Sequence, residues 1–396
     1  MNAGGASPDL VVVGAGTMGV WTALRAIRAG RRVVLIDAYG AGNPRASSSD
    51  VSRIIRSSHG DDSFYTQWSR AARTDWIALG EQVGQEIFVQ AGALWFAYRE
   101  DGFEAGSERV LRSLDIPVAR LAPADVTHRW PGIRVDDVAF AVFEPEGGLL
   151  RARLGVRSAA DVFVAEGGLL EVAAVRPGSV ENDRLVDVVA ADGRRWAADT
   201  FVFACGPWLP RLMPDVIGTR IRVTRQDVHY LGPIVEADRW QAPVFPSWVD
   251  YDAAFYGVGG VVGHGVKVAT DLYGGDWDPD AGERIVDAAS IETVRAYCAR
   301  RFPDLVAAPV VETRVCQYET TVDSHFLIDR HPDLANAWLV GGGSGHGFKH
   351  GPSIGSYVVS LLDGHEPVGD ERRFRLDRSG VPSGLRTRAD TAPVGR

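Results

Sequence analysis

The sequence predicts an α/β fold: a Rossmann-like dinucleotide-binding domain joined to a second, α+β domain built on an antiparallel sheet. Three observations carry this. Residues 11–37 read as strand, glycine turn, helix, strand, acid. An apolar strand followed by a glycine turn and a helix start recurs at DTFVFACGPWLPRL and again at AWLVGGGSGHGFKH. Between these units lie short alternating strands with turn residues and few helices, the pattern of an antiparallel sheet.

In residues 11–37, VVVGAGTMGVWTALRAIRAGRRVVLID, each glycine has its own task. Gly14 allows the tight turn, Gly16 lets backbone amides approach a pyrophosphate, and Gly19 lets the helix lie close to the strand. Met18 completes the turn against the same ligand. Phosphates then sit at the helix N-terminus, where unpaired N–H groups and the helix dipole favour negative charge. Asp37 ends the second strand and is placed to accept hydrogen bonds from ribose hydroxyls. A carboxylate there disfavours a 2′-phosphate, which argues against NADP. The fingerprint identifies an adenine dinucleotide and leaves NAD and FAD undivided.

Composition excludes several other classes. The 396 residues are 45% hydrophobic and 23% charged, ordinary values for a globular protein. A net charge of −9 gives no basic footprint, so neither nucleic acid nor an anionic membrane is an expected partner. No apolar run is long enough to span a bilayer, and MNAGGASPDL lacks the regions of a secretory signal. Cys205, Cys298 and Cys316 do not read as a disulfide framework, which fits a reducing cytoplasm. No Cys/His cluster has metal-ligand spacing, so no metal is expected.

After Asp37 a loop rich in Gly, Ser and Asn carries Arg53 and Arg56. At helical spacing these would share a face, either as a solvated pair or as contacts to an anion or the cofactor. Residues 64–84 read as an amphipathic helix with Trp68, Ala72, Trp76 and Leu79 on one side. EIFVQAGALWFAY reads as strands, LAPADVTHRWPG as a polar connector, and residues 156–166 as a helix. Strands joined by turns then lead to Gly206, and residues 221–314 mix strands with a helix over 291–301. From residue 379 the polar tail is expected to be poorly ordered.

The motifs GAGTMG, SRIIR, RWPG, FEPEGGLL, ACGPWLPRL, GHGVKV, RVCQYETTVDSHFLIDRHP and GGGSGHGFKH fall in this order. Over residues 9–362 the chain resembles the monomeric sarcosine oxidase group of the D-amino-acid-oxidase-like flavoproteins. The resemblance implies FAD and a first domain of the glutathione-reductase/hydroxylase type. It implies an FAD domain from residues 1–85, 148–215 and 315–380, a substrate domain from 86–147 and 216–314, and a disordered tail at 381–396. Cys316 matches the cysteine that forms a thioether to the flavin 8α-methyl carbon, chemistry suited to a thiolate whose pKa nearby cations lower. Lys267 matches the lysine above flavin N5 that activates oxygen, a fixed cation where charge develops on O2. Arg56 and Lys349 match the pair that binds the substrate carboxylate beside the flavin, and Arg53 an arginine close to the ring that favours the anionic reduced flavin. Gly345, His346 and Gly347 would offer amides toward the flavin C2 carbonyl, and Tyr256 and Tyr318 would line the substrate pocket.

Two positions depart from the family. Ser49 and Asp271 stand where sarcosine oxidases carry active-site histidines, so the resemblance implies a cofactor contact at Ser49 and a catalytic role at Asp271. Asp271 would place a carboxylate near the substrate amine, suiting a cation or a cyclic imino acid whose nitrogen must be held and deprotonated. In this it resembles flavin enzymes that oxidise cyclic imino acids in antibiotic biosynthesis; the alternative is that Asp271 faces solvent in the turn before LYGGDWD. The resemblance thus implies oxidation of a small secondary amino acid, N-methyl or cyclic, by hydride transfer to FAD, with O2 reduced to H2O2 in a cytoplasmic monomer. The alternatives are an FAD-dependent dehydrogenase using another acceptor and a non-catalytic flavoprotein subunit.

Overall fold

A computed structural model describes residues 7–378, apart from 262 and 273; the expected tail at 381–396 lies outside the described residues. Two large sheets organise the chain. The first has six strands in the order Leu327–Arg330, Ala337–Gly341, Thr200–Phe203, Leu10–Val13, Val33–Asp37 and Leu169–Val172. Leu10–Val13 has parallel partners on both sides, with Leu10 opposite Thr200 and Val33. These apolar runs are buried on both faces, as a parallel strand covered by helices requires. Alternate side chains enter different cores: Val12 and Leu35 pack with Val20, Trp21 and Ile354 of the helices, and Val11, Val13 and Ile36 pack with Leu209 and Met213.

The glycine turn explains how closely the helix Thr17–Arg28 rides on this sheet. A Cβ at Gly19 would lie 1.8 Å from the Gly14 carbonyl oxygen, and Gly14 itself has φ +103. Neither position tolerates a side chain without moving the helix.

The second sheet has eight strands: Val310–Thr320, Arg222–Leu231, Val266–Thr270, Phe255–Val258, Ser247–Asp250, Ala93–Ala97, Phe140–Glu144 and Ala119–Leu121. It is antiparallel except where Ser247–Asp250 runs parallel to Ala93–Ala97. The helix Ala288–Arg301 covers it, with Val294, Tyr297 and Cys298 packed on Trp248, Val266 and Val268. A three-stranded sheet, Ser52–Ile55 with Gly148–Arg151 and Phe88–Val89, supplies a third short layer.

Four local differences from the sequence reading have physical reasons. Arg53 lies inside the strand Ser52–Ile55 and Arg56 just beyond it, so the two arginines do not share a helical face. The segment read as a polar connector contains the helix Pro123–Arg129, started by proline at its first turn and by Asp125, whose side chain accepts from the Ala122 amide at 3.1 Å. Phe103–Ser113 forms a further helix. The boundary expected at residue 315 falls within Val310–Thr320, which pairs along its length with Arg222–Leu231 and places Cys316 opposite Gln226. The long helix Ser63–Val83 fits its expected span, because the Asp62 carboxylate accepts from the Tyr65 amide and Gly84 closes it at φ 65. No helix among the described residues is long and apolar enough to cross a membrane.

Candidate active site

A cavity of about 380 Å³ opens beyond the C-terminal end of Leu10–Val13. Gly14, Gly16, Met18 and Asp37 line one part of it; Arg53, Tyr318, Glu319, Gly345 and Gly347 line another. Asp37 accepts from the Ala15 and Tyr39 amides, both at 2.8 Å, and burial raises its pKa. It therefore braces the glycine turn as well as facing the cavity. The helix Thr17–Arg28 starts without a side-chain cap or an acid in its first turn, which leaves its amides available to an anion.

Behind the cavity wall lies a buried ionic cluster. Asp50 accepts from Lys267 Nζ at 2.6 Å, from Arg53 Nη1 at 2.7 Å and from the Tyr230 hydroxyl. Lys267, from the strand Val266–Thr270, is 1% exposed and also donates to the Ser52 carbonyl at 3.2 Å. Burial works to raise the Asp50 pKa, but the charges of Lys267 and Arg53 outweigh it and hold the carboxyl well below its usual range. Burial likewise works against charge on Arg53, and nearby Cys316 and Asp50 reverse this and raise its pKa. Arg53 Nη2 approaches Cys316 Sγ at 3.2 Å and donates to the Ser47 carbonyl at 2.9 Å. Cys316 thus lies next to two cavity-lining residues.

Asp271 is 8% exposed and accepts from the Tyr318 hydroxyl at 3.1 Å. The solvent-facing alternative for this aspartate is therefore wrong: pairing of Phe255 with Thr270 and a bond from the Asp271 amide to the Ala254 carbonyl turn it inward. Lys267 Nζ lies 5.3 Å from the Tyr256 ring centre. Arg56 donates to the Ser58 carbonyl and lies 4.9 Å over the Trp95 ring. Lys349 is buried, with Nζ donating to the His346 carbonyl at 2.9 Å.

Two expectations need correction. The amides of His346 and Gly347 turn back onto the Gly343 carbonyl at 2.9 and 2.8 Å, so they do not face the cavity as free donors. Ser49 is buried in a turn whose amide bonds Ala46, and the cavity wall there is made by Ser47 and Ser48. Two residues escaped the sequence reading. Asp50 was signalled by an acid three residues before Arg53, but its positive φ of 106 was not legible. Glu319 was signalled as an acid in an otherwise uncharged strand end; its carboxylate accepts from Ser47 Oγ at 2.6 Å, and burial pushes its pKa up to about 7.

A cavity that joins an uncapped helix N-terminus to a wall backed by buried cations suits a dinucleotide whose reactive ring gains electrons, the class of nucleotide-dependent oxidoreductases. The chain belongs to the FAD dependent oxidoreductase (DAO) family, whose model matches residues 9–361, so the dinucleotide is FAD. It is 26% identical over 386 residues to monomeric sarcosine oxidase of Bacillus sp. (strain B-0618), covering 95% of this chain and 97% of that protein. It is 28% identical over 381 residues to peroxisomal sarcosine oxidase of Mus musculus, covering 93% and 96%. Its fold is similar to that of NikD, an amino acid oxidase of nikkomycin biosynthesis, with a TM-score of 0.77 at 21% identity over 94% of this chain and 98% of the other.

Glu319 has a pH consequence. Its folded pKa of about 7 lies above the ordinary 4.5, so its favourable contribution to stability is complete below pH 4.5 and lost as pH rises toward 7. Glu319→Gln should flatten the fall in thermal midpoint between those values relative to the unsubstituted enzyme. Parallel curves for the two proteins would show that Glu319 ionises normally.

Proposed function

We propose that the chain oxidises the C–N bond of a small secondary amino acid, N-methyl or cyclic. The observation that carries this reading is the cation pair clasped by Asp50, with Lys267 buried and Arg53 on the cavity wall, and Cys316 Sγ 3.2 Å from Arg53. FAD, when bound, supplies the two-electron acceptor and passes the electrons to O2, giving hydrogen peroxide. Arg56 and Lys349 hold the substrate carboxylate, Arg56 as a planar fork and Lys349 as a point charge. Asp271, oriented by Tyr318, holds the substrate nitrogen and accepts its proton, so that the neutral amine is the form oxidised. Tyr256 and Tyr318 close the substrate side.

Lys267 keeps a fixed positive charge where O2 is reduced, and Arg53 favours negative charge on the reduced cofactor. Glycines 14, 16 and 19, with Met18 and Asp37, hold the adenine dinucleotide end. Gly345 meets the cofactor through its backbone, and Cys316 anchors it covalently through sulfur. The relatives named for sarcosine, an N-methyl amino acid, support the substrate class. The relative named monomeric sarcosine oxidase supports a monomer as the working unit. No two of the three cysteines form a disulfide, which supports a reducing, cytoplasmic setting.

A peroxide assay over N-methyl and cyclic amino acids tests the reaction. At least one member should give peroxide, and Lys267→Met should slow reoxidation of the reduced enzyme by O2 by roughly 100-fold or more. A substrate that reduces the enzyme without peroxide on aeration would indicate a dehydrogenase; no reduction by any member would indicate a non-catalytic flavoprotein. Cys316→Ala should release all flavin on acid denaturation, whereas the unsubstituted enzyme retains it. Release from both would disprove the covalent link.

A further inference from the structure

We propose that His59, His346 and His350 form a binding site for one imidazole-seeking transition ion, zinc or copper, beside the substrate-binding cations. Each histidine offers one ring nitrogen, and these atoms all lie within 4.8 Å of one another. A metal–nitrogen bond is about 2.1 Å, so each ring closes by less than about 1 Å to share an ion. His59 and His350 are both 0% exposed. His59 Nε2 and both ring nitrogens of His350 are buried without a hydrogen-bond partner among the described residues. Buried polar atoms are nearly always satisfied, and three such atoms in one cluster require a reason.

The hydrogen bonds that do exist orient the lone pairs. His59 Nδ1 lies 2.9 Å from the Ser57 carbonyl, and His346 Nε2 lies 2.9 Å from the Ser324 carbonyl. A carbonyl only accepts, so these two nitrogens carry the protons, and His59 Nε2 and His346 Nδ1 carry the lone pairs. A ligating histidine whose other nitrogen donates to a carbonyl is the usual outer arrangement of a metal site. Burial keeps His59 and His350 neutral, the form that ligates, and the charges of Arg56 and Lys349 act in the same direction. Tyr65 stands among the three rings, at centroid distances of 5.7, 5.1 and 5.4 Å from His59, His346 and His350.

The charge around the cluster selects the ion. The three ligands bring no carboxylate, which excludes calcium and magnesium as good occupants. Arg56 and Lys349 oppose any cation there and reduce its affinity. In return, a bound ion ties residues 57–60 to the loop that carries Lys349, because the His346 carbonyl accepts from Lys349 Nζ. His346 and His350 are four residues apart in the sequence, but His59 lies far from both, so the three-histidine cluster exists only in the fold.

Flavin-loaded enzyme, with any affinity tag removed and chelator-washed, should take up one zinc or copper ion per chain on equilibrium dialysis. Its thermal midpoint should rise with zinc concentration and not with magnesium. Cu²⁺ bound to the unsubstituted enzyme should show electron-spin coupling to imidazole nitrogen, a readout that needs no variant. His59→Gln and His350→Phe should each weaken uptake at least about tenfold. No stoichiometric uptake, a copper spectrum without imidazole coupling, or equal uptake by folded variants would overturn the site.

Discussion

The Asp50 carboxylate is the interaction on which the rest of this structure depends. It gathers Lys267 and Tyr230 from neighbouring strands of the large sheet and Arg53 from the short three-stranded one. Arg314 adds a further charge at 3.5 Å. A buried Lys267 and a half-buried Arg53 on the cavity wall would be mutually repulsive and poorly solvated without a counter-ion. Asp50 supplies it, 3% exposed and held at a positive φ that most side chains avoid. Backbone strain of that kind costs on the order of 1–3 kcal/mol and persists only where surrounding contacts determine it. Here the contacts are the cations themselves.

That cluster also fixes the relation between the two sheets. The parallel sheet ends at the glycine turn and Asp37, which suit the inert nucleotide half of FAD. The antiparallel sheet delivers Tyr318 and Glu319 to the cavity wall, and Lys267 and Cys316 to the groups packed around Asp50 and Arg53 behind it. Asp50 stands where the chain leaves the first layer for the second, so one carboxylate sets both the charge and the join. The cavity wall also holds Glu319, whose raised pKa marks a place where burial dominates over charge. Within a few residues of the same wall, one acid is kept ionised and another is kept close to neutral.

Much of this was legible in the sequence where chemistry is local. Residues 11–37 specify their own turn, helix and strand because every requirement falls within one supersecondary unit. Lys267 could be singled out because a lysine in VKVA has no low-energy reason to be there. Asp50 was missed because its value depends on two strands more than a hundred residues away and on a backbone angle without a sequence signature. The arginines of SRIIR were read with a helical period that the strand Ser52–Ile55 overrides. The loop Gly345 to Gly347 was recognised by its glycines, but which way its amides turn is settled by the Gly343 carbonyl. His350 stands four residues after His346, a spacing visible in the sequence, but His59 carried no signal, since only tertiary packing brings it to the pair.

The most direct test of this account is the stability of Asp50→Asn. Asparagine tolerates positive φ, so the substitution removes the charge and leaves the turn intact. Leaving the buried Lys267 without its counter-ion, beside the half-buried Arg53, should cost about 3–5 kcal/mol in chemical denaturation of the flavin-loaded enzyme. A loss below about 1 kcal/mol would contradict the account, because the two cations would then be stable in the protein without Asp50.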